Sequence, residues 1–345
     1  MVTTTRPSPV AGSNAARLSD IVSRTREFGI LAVLVLLVVV TGVVQPNFLR
    51  LNNIQFVLLD TTMLALLALG ETIVVVSRNV DLSIGAVLGL SAFLSASLFG
   101  HVAGIPIPLV FAAGLGIGIA CGVANGLVVS IGRVPSLVVT LASLYIIRGL
   151  DILIVGGGQV VAFSLPTSFR GIGEATVLGI PDLAIAAAVV VAGGAYFLRS
   201  FRSGRELYAI GSNPDAARLA GIPVARRTFM AFVASGAIAG VTGVIWAIRY
   251  GTIDSTAGTG IELQVIAAVV VGGVAIFGGS GSAVGAALGA LLLTSIASAL
   301  QVLGISPFWV QAIAGFLLIA AITLDKGISV RLTTTLRKGN YRGGR

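Results

Sequence analysis

Long apolar stretches follow one another along almost the whole chain, and they limit what it can fold into. Hydrophobic residues make up 56% of the sequence, charged residues make up 10%, and the mean hydropathy is +1.03. An α-helix needs about 20 mostly apolar residues to cross a bilayer. Dividing the apolar stretches into segments of that length, we predict an all-α integral membrane protein with about ten transmembrane helices. The predicted spans are 28–44, 54–76, 83–99, 105–130, 135–155, 180–198, 227–250, 261–277, 283–303 and 307–324.

Positive charge is unevenly distributed between the two sides that these spans define. The sequence has 22 Lys and Arg residues and a net charge of +9. If the N-terminus is cytoplasmic, the outer loops contain only Arg50 and Arg170, and most of the others fall in the tails and cytoplasmic loops. Cytoplasmic loops of membrane proteins carry an excess of Lys and Arg. Both termini are therefore predicted to be cytoplasmic, and the charge reflects topology rather than binding of a nucleic acid.

This topology divides the chain into three parts. A polar tail at 1–27 precedes a membrane domain at 28–324, and a basic tail follows at 325–345. The first tail lacks the apolar core and cleavage site of a secretory signal, so no cleaved signal is expected. The longest cytoplasmic loop of the membrane domain lies at 199–227.

The sequence offers no cofactor site of its own. The phosphate-binding pattern G-x-x-x-x-G-K-[ST] is absent, since the only lysines, Lys326 and Lys338, are each followed by Gly. His101 is the only histidine and Cys121 the only cysteine. These residues cannot form a metal cluster or a nucleophile paired with a base. We therefore expect no ATP site, no metal site and no enzymatic activity in this chain.

Glycines recur every four residues in several predicted spans. Such a repeat puts a smooth stripe on one face of a helix, where another backbone can approach closely. The repeats predict tight helix packing, and they consist of Gly114, Gly118, Gly122 and Gly126; of Gly281, Gly285 and Gly289; and of Gly236 with Gly240.

The loop at 199–227 contains the sequence SNPDAARLAGIP, which predicts a short helix. Asn213 can cap its N-terminus, Pro214 fits the first helical position, and Asp215 suits the positive end of the helix dipole. Gly221 followed by Pro223 ends it. We predict a helix of about two turns on the cytoplasmic side.

The surroundings of this helix carry a specific resemblance. The stretch Asp215-Ala216-Ala217, three residues, then Gly221 resembles the Glu-Ala-Ala-x-x-x-Gly loop by which ABC importer permeases dock onto their ATPase subunits. The wider segments GRELYAIGSNPDAARLAGIPV, RNVDLSIG, VPSLVVTLASLYIIRGL and IELQVIAAVVVGGVAIFGGSGSAVGAALGALL resemble ribose-type sugar permeases, which belong to a larger group with branched-chain amino acid permeases. The variant Arg78-Asn79-Val80-Asp81 suggests a sub-branch near rhamnose or autoinducer-2 permeases, whereas Asp215 in place of Glu preserves the charge.

The resemblance implies a multi-pass permease in the cell membrane of a bacterium. It implies a dimer with a second copy or a sister permease, cytoplasmic ATPase subunits that bind ATP, and an external binding protein that delivers a sugar. It also implies that Asn213, Pro214, Asp215, Ala216, Ala217 and Gly221 couple the permease to the ATPase. The small alanine pair would let the helix enter a groove on the ATPase.

Charged residues within predicted spans are candidates for the translocation path or a gate, because charge is costly in a bilayer. Glu71 lies in the second span, and Asp81 with Ser83 lies at the start of the third, where helix capping is the alternative explanation. Arg148 and Asp151 are three residues apart in the fifth span and can form a structural ion pair. In the long outer loop at 156–180, Arg170 is a candidate contact for the binding protein.

Other classes remain open at this point. A branched-chain amino acid permease is the near alternative, and a secondary transporter would need intramembrane acids and broken helices around a midplane site. The ATPase-docking segment favours the ATP-driven importer. The sequence does not name the sugar.

Overall fold

The computed structural model describes residues 28–306, 308–317, 319–320 and 323. The predicted tails at 1–27 and 325–345 lie outside the described residues. The last predicted span, 307–324, lies only partly within them, and residues 309–317 are helical.

Helices account for most of the described chain. In chain order they are α1 (Phe28–Val44), α2 (Leu51–Val75), α3 (Ile84–His101), α4 (Ile107–Ser130), α5 (Ser136–Val155), α6 (Thr167–Glu174), α7 (Asp182–Ser200), α8 (Arg202–Ser212), α9 (Pro214–Leu219), α10 (Val224–Tyr250), α11 (Ile261–Val271) and α12 (Ala283–Val302). Three short elements lie between them. They are a single-turn helix at Pro46–Leu49, another at Ala162–Ser164, and a hairpin of two short strands, β1 (Thr176–Val177) and β2 (Ile180–Pro181).

Among the described residues, seven helices are long and apolar enough to cross a membrane. They are α2, α3, α4, α5, α7, α10 and α12. This confirms the all-α membrane class. The helix at 28–44 has the predicted bounds but is shorter than these seven.

The predicted span at 261–277 is wrong in its second half. Helix α11 has 11 residues and ends at Val271, which makes it about 16 Å long, roughly half the thickness of a hydrocarbon core. Residues 272–282 form a non-helical segment although Val274 to Phe277 remain apolar. Gly273, two residues after the last helical residue, has a φ of +87°, and Gly278, Gly279 and Gly281 also have positive φ angles, so glycine conformations end the helix where hydropathy alone continues it.

Helices α2, α3 and α10 form the centre of the molecule. Every residue of α2 from Thr62 to Val75 is buried. In the most hydrophobic stretch of each helix, only 17% of the residues of α7 and 22% of those of α4 are buried, against 67% for α10. The helices at the periphery of the bundle, such as α4 and α7, therefore present apolar faces that lipid tails or another subunit can cover.

The close packing predicted from the glycine repeats is confirmed. Gly118 of α4 faces Gly236 and Gly240 of α10, and Gly114 faces the carbonyl of Gly240. A second close contact joins α11 and α12, where Gly289 lies against Ala268. The absence of side chains at these positions lets two backbones touch.

Part of the loop at 251–260 enters the helix bundle. Ala257 packs against Gly89, which lies about 12 residues, and thus about 18 Å, before the end of α3. Backbone that is not helical is tolerated at this depth only where its polar groups are satisfied within the protein. The loop meets that condition partly through paired hydrogen bonds between Val160 and Ile253, each 2.9 Å long.

We expect Gly118→Ala to destabilise the protein, because the added methyl group would lie 2.8 Å from the Cα atom of Gly240 and closer still to the carbonyl oxygen of Gly236. Overpacking of this kind costs about 1–3 kcal/mol. Gly116→Ala is the matched control, since no atom lies within 4 Å of a methyl group there. The measurement is the thermal unfolding midpoint in detergent. Equal midpoints for the two variants would contradict the packing at this crossing.

Candidate functional site

Two helices, not one, occupy the loop at 199–227. Helix α8 precedes the predicted short helix, and the sequence analysis did not predict it. Its buried residues Leu207 and Ile210 are three apart, next to buried Gly204 and Gly211, so one face is apolar. That helical spacing in the sequence was the available signal.

The predicted cap and end of α9 are confirmed. The side chain of Asn213 accepts hydrogen bonds from the backbone amides of Asp215 (3.1 Å) and Ala216 (3.0 Å), and Pro214 occupies the first turn. Asp215 pairs with Arg218 at 2.8 Å on the surface. Gly221 has a φ of +77°, the left-handed geometry that favours glycine at a helix end.

The alanine pair of α9 is divided between two faces. Ala217 is buried against the protein itself, whereas Ala216 is exposed. Leu219, which the sequence analysis did not single out, is 91% exposed. The small side chain of Ala217 lets α9 pack on this chain, and the surface available to a partner includes Ala216, Arg218 and Leu219.

Glu206 fixes α8 to the beginning of α10. Its carboxylate accepts hydrogen bonds from Arg202, one turn earlier at 2.8 Å, and from Arg227 on α10. The carboxylate is almost fully buried, and the hydrogen bond from Arg227 lowers the pKa of Glu206 below its usual range. Because Glu206 joins two elements that flank α9, it is a positioning residue for the short helix.

Helix α8 also packs against two non-helical segments of the bundle, 76–83 and 272–282. The Tyr208 hydroxyl donates to the carbonyl of Gly281 at 3.0 Å, and burial raises the pKa of Tyr208 to about 12. Gly211 lies against Val76 and Gly279, and the Gly279 amide donates to the carbonyl of Val76 at 3.0 Å. A displacement of α8 would therefore reach the segments 76–83 and 272–282 directly.

A basic groove of about 570 Å³ lies beside α9. It contains Arg78, Arg133 and Arg218, and no acidic residue is among the residues that line it. Arg78 (φ +68°) and Arg133 (φ +55°) both have left-handed backbone conformations, which cost a residue with a side chain about 1–3 kcal/mol. The groove is therefore a strained, positively charged surface next to the short helix.

Glu71, Asp81 and Ser83 form one buried network. The backbone amide of Asp81 donates to Glu71 (3.1 Å), and the Asp81 carboxylate accepts from the Ser83 hydroxyl (2.6 Å) and from Ser235 of α10 (3.2 Å). Asn125 of α4 donates to the Ser83 hydroxyl (2.8 Å). The network joins α2, α4 and α10 around the turn that precedes α3.

Arg148 lies in a different set of contacts. Its guanidinium donates to the carbonyls of Ala257 (2.7 Å) and Ser255 (3.2 Å), and it pairs with Asp151 at 3.7 Å. The predicted ion pair with Asp151 is confirmed. Arg148 thereby satisfies carbonyls of the loop at 251–260 that enters the bundle. Neither Arg148 nor the network of Glu71, Asp81 and Ser83 lines either of the two cavities described in the next paragraphs.

A cavity of about 790 Å³ was missed by the sequence analysis. It lies between α2, α10, α11 and α12, and at its wall Arg249 of α10 pairs with Asp60 of α2 at 3.1 Å. Each helix contributes only a few polar residues, so no single stretch of sequence reveals it. Its polar and aromatic lining includes Asn47, Arg50, Asn52, Asn53, Phe56, Asp60, Trp246, Arg249, Tyr250, Thr259, Gln264, Thr294, Ser298 and Gln301.

A second cavity of about 440 Å³ adjoins the first, since Phe56, Arg249 and Tyr250 line both. Arg170 of α6 lines this second cavity, together with Glu174. The Arg170 side chain is half-buried, and its Nε has no hydrogen-bond partner among the described residues. Arg170 thus faces a groove rather than projecting freely from the loop.

Comparison with known proteins defines the class of this molecule. A family model described as "Branched-chain amino acid transport system / permease component" matches residues 53–322. The chain belongs to this family of permeases, and it is a multi-pass membrane subunit of an ATP-driven importer.

The particular relatives lie in one branch. The chain is 34% identical to the autoinducer 2 import system permease protein LsrC of Enterobacter sp. (strain 638), over 92% of both chains. It is 34% identical to the protein of that name from Escherichia coli (strain K12 / DH10B) over 93% of this chain and 92% of the relative, and 33% identical to the one from Salmonella paratyphi B over 93% and 91%. The expected resemblance to ribose-type permeases is confirmed. No solved structure matches the chain.

We predict that Glu206→Gln lowers the thermal unfolding midpoint by a few degrees at pH 7. Because the pKa of Glu206 is lowered in the folded protein, its stabilising effect is complete above the unfolded value of about 4.3 and is lost as the pH falls through the folded value. The difference between the wild type and the variant should therefore stay constant from pH 8 to about 5 and shrink below about 4.

Asp215→Asn is the control for this prediction, because the Asp215–Arg218 pair is exposed and such pairs contribute little. It should leave the midpoint unchanged at every pH. A difference for Glu206→Gln that persists undiminished at the lowest pH would show that Glu206 does not act as a buried carboxylate.

Proposed function

We propose that this permease imports autoinducer 2 or a related small sugar-like solute. An external binding protein would deliver the solute, and separate cytoplasmic subunits would bind and hydrolyse ATP. The relatives named for autoinducer 2 import support the solute class, since they match over nine-tenths of the chain. The observation that carries the ATP-driven mechanism is the capped helix α9, which presents Leu219 to a partner.

The proposed topology has ten crossings with both termini in the cytoplasm. The seven long helices supply seven crossings, and α1 and the helix that includes 309–317 supply two more. The remaining one combines the entering loop at 251–260 with the short helix α11. Arginines of α8, α9 and the groove beside them then fall on the cytoplasmic side, as the positive-inside rule requires.

Docking of the ATPase would use the exposed face of α9. A leucine exposed to this extent is an apolar anchor of the kind that fills a pocket on a partner. The basic groove formed by Arg78, Arg133 and Arg218 would add attraction for acidic side chains of the ATPase. Motion of the ATPase would pass through α9 to α8, and from α8 to the segments at 76–83 and 272–282 that it contacts.

The roles of the buried polar residues follow from their contacts. The network of Glu71, Asp81 and Ser83 would hold the turn before α3 in place, and a change in that turn would alter the inner end of the path. Arg148 would stabilise the loop at 251–260 rather than contact the solute. On the outer side, Arg170 and Glu174 would contact the binding protein across the second cavity.

Dimerisation with a second copy or a sister permease would cover part of the apolar surface of the outer helices. Tyr145 and Leu153 of α5 are 70% and 78% exposed, although they are large hydrophobic residues. Lipid can also cover such residues. The proposed dimer therefore rests on the family resemblance and not on these exposed residues.

We expect Leu219→Glu to abolish ATP-dependent uptake in vesicles that contain the permease, its ATPase and its binding protein, and to prevent the ATPase from copurifying with the permease. The added charge would be buried without a partner in an apolar pocket. Leu178→Glu is the matched control, since Leu178 is 98% exposed in the turn of the outer hairpin. It should retain the ATPase. Normal copurification and uptake for Leu219→Glu would exclude α9 as the docking element.

A further inference from the structure

The cavity between α2, α10, α11 and α12 has the properties of a solute site within the permease itself. We propose that it binds one neutral polyhydroxylated molecule of monosaccharide size and that Asp60 and Arg249 recognise its hydroxyl groups. This inference rests on the proposed function, because it names where the imported solute is recognised inside the membrane domain. It also assigns part of the solute selectivity to the permease instead of to the binding protein alone.

Hydrogen bonds already present divide the polar lining into two groups. Asn53 donates to the carbonyl of Phe48 (2.8 Å) and accepts from Ser298 (3.0 Å), and Thr294 contacts Thr61 (2.6 Å), so these residues hold the wall together. These groups therefore have less capacity left for a solute than unbonded side chains have.

The second group has unused hydrogen-bonding capacity. Arg249 donates to Asp60 through Nε only, which leaves both terminal nitrogens of the guanidinium and one carboxylate oxygen of Asp60 without a bond in the described part of the chain. The amide side chains of Gln264 and Gln301 likewise have no hydrogen-bond partner there. Together they supply both donors and acceptors, the combination that neighbouring hydroxyl groups require.

Aromatic rings fix the position of Arg249. Its guanidinium carbon lies 5.1 Å from the centroid of the Phe56 ring and 5.5 Å from that of Tyr250. The Trp246 ring packs on Tyr250 with 4.4 Å between centroids. A charged group held by a carboxylate and two rings is already oriented before the solute binds, which reduces the entropy lost on binding. Trp246 adds an apolar face against which the C–H groups of a sugar ring can pack.

Size and charge restrict the solute class. A volume of about 790 Å³ is within the range of small-molecule sites, roughly 300–1,000 Å³, and leaves room for water around a monosaccharide. Asp60 and Arg249 neutralise one another, and Arg50, the third charged residue of the lining, is exposed at the start of α2. A zwitterionic amino acid would have to lose hydration from both of its charges at a pair that is already neutral, which is costly. Hydroxyl groups can bind to the outer atoms of the intact pair without that cost.

Fluorescence of Trp246 gives a direct test on the permease alone. The chain has two tryptophans, so Trp309→Phe leaves Trp246 as the only one. This variant, purified in lipid nanodiscs without ATPase or binding protein, is titrated with D-ribose, L-rhamnose, autoinducer 2 and L-leucine. We expect a saturable fluorescence change with at least one of the first three and none with leucine. Removing the carboxylate by Asp60→Asn should weaken that binding about tenfold or more.

Asp254→Asn is the matched control. Asp254 is also a carboxylate of the outer half, but it does not line the cavity and accepts hydrogen bonds from Thr256. It should leave the titration unchanged, and both variants should keep the unfolding midpoint of the parent. If Asp60→Asn lowers the midpoint, Gln264→Ala replaces it, with the same weakening expected.

Three results would overturn the inference. The first is the absence of a saturable change with any of the three polyhydroxylated compounds up to about 100 mM, far above a millimolar dissociation constant. The second is a saturable change with leucine only. The third is equal affinities for the Asp60→Asn and Asp254→Asn proteins. ATP-dependent uptake is measured separately on the same variants. Uptake without saturable binding would refute the cavity site and leave the proposed function standing. Binding without ATP-dependent uptake would refute the proposed function and leave the site standing.

Discussion

Every backbone polar group inside a bilayer must be satisfied within the protein, and this requirement governs the architecture of the permease. Residues 76–83 and 251–260 are non-helical, and both are packed among helices. Arg148 donates to two carbonyls of the second segment. The side chains of Glu71 and Asp81 accept backbone amides of the first. The charges that look costly in the sequence are therefore those that allow the backbone to leave the helical conformation.

The first of these segments, 76–83, and a further non-helical segment at 272–282 connect α8 to the interior of the bundle. Helix α8 contacts the backbone of Val76 and Gly281, and Glu206 fixes α8 to α10. Elements that are not helical can change conformation at a lower cost than packed helices, so they are suited to carry a movement from α9 to the inner part of the bundle. The tight glycine contact between α4 and α10 would provide the rigid frame for the proposed movement.

Hydropathy and capping rules predicted much of this fold, because long apolar stretches and the Asn-Pro-Asp start of α9 are local signals. The end of α11 at Val271 could not be predicted in the same way, since the apolar sequence continues while glycines of positive φ end the helix. The burial of Ala217 against this chain, rather than against a partner, depends on how α9 packs in the folded protein, which no local pattern shows. The large cavity depends on Asp60, Arg249 and Gln264, which are far apart in the sequence and meet only in the folded bundle.

The central claim is that α8 and α9 face the cytoplasm, and cysteine labelling tests it most directly. Cys121 is the only cysteine, so a Cys121→Ser background accepts single cysteines at exposed Ser212, which ends α8, and at exposed Thr167 in the outer loop. Spheroplasts that express the permease without its ATPase are treated with a membrane-impermeant maleimide. We predict labelling of the Thr167→Cys protein in intact spheroplasts and of the Ser212→Cys protein only after permeabilisation. Labelling of Ser212→Cys in intact spheroplasts would contradict the account.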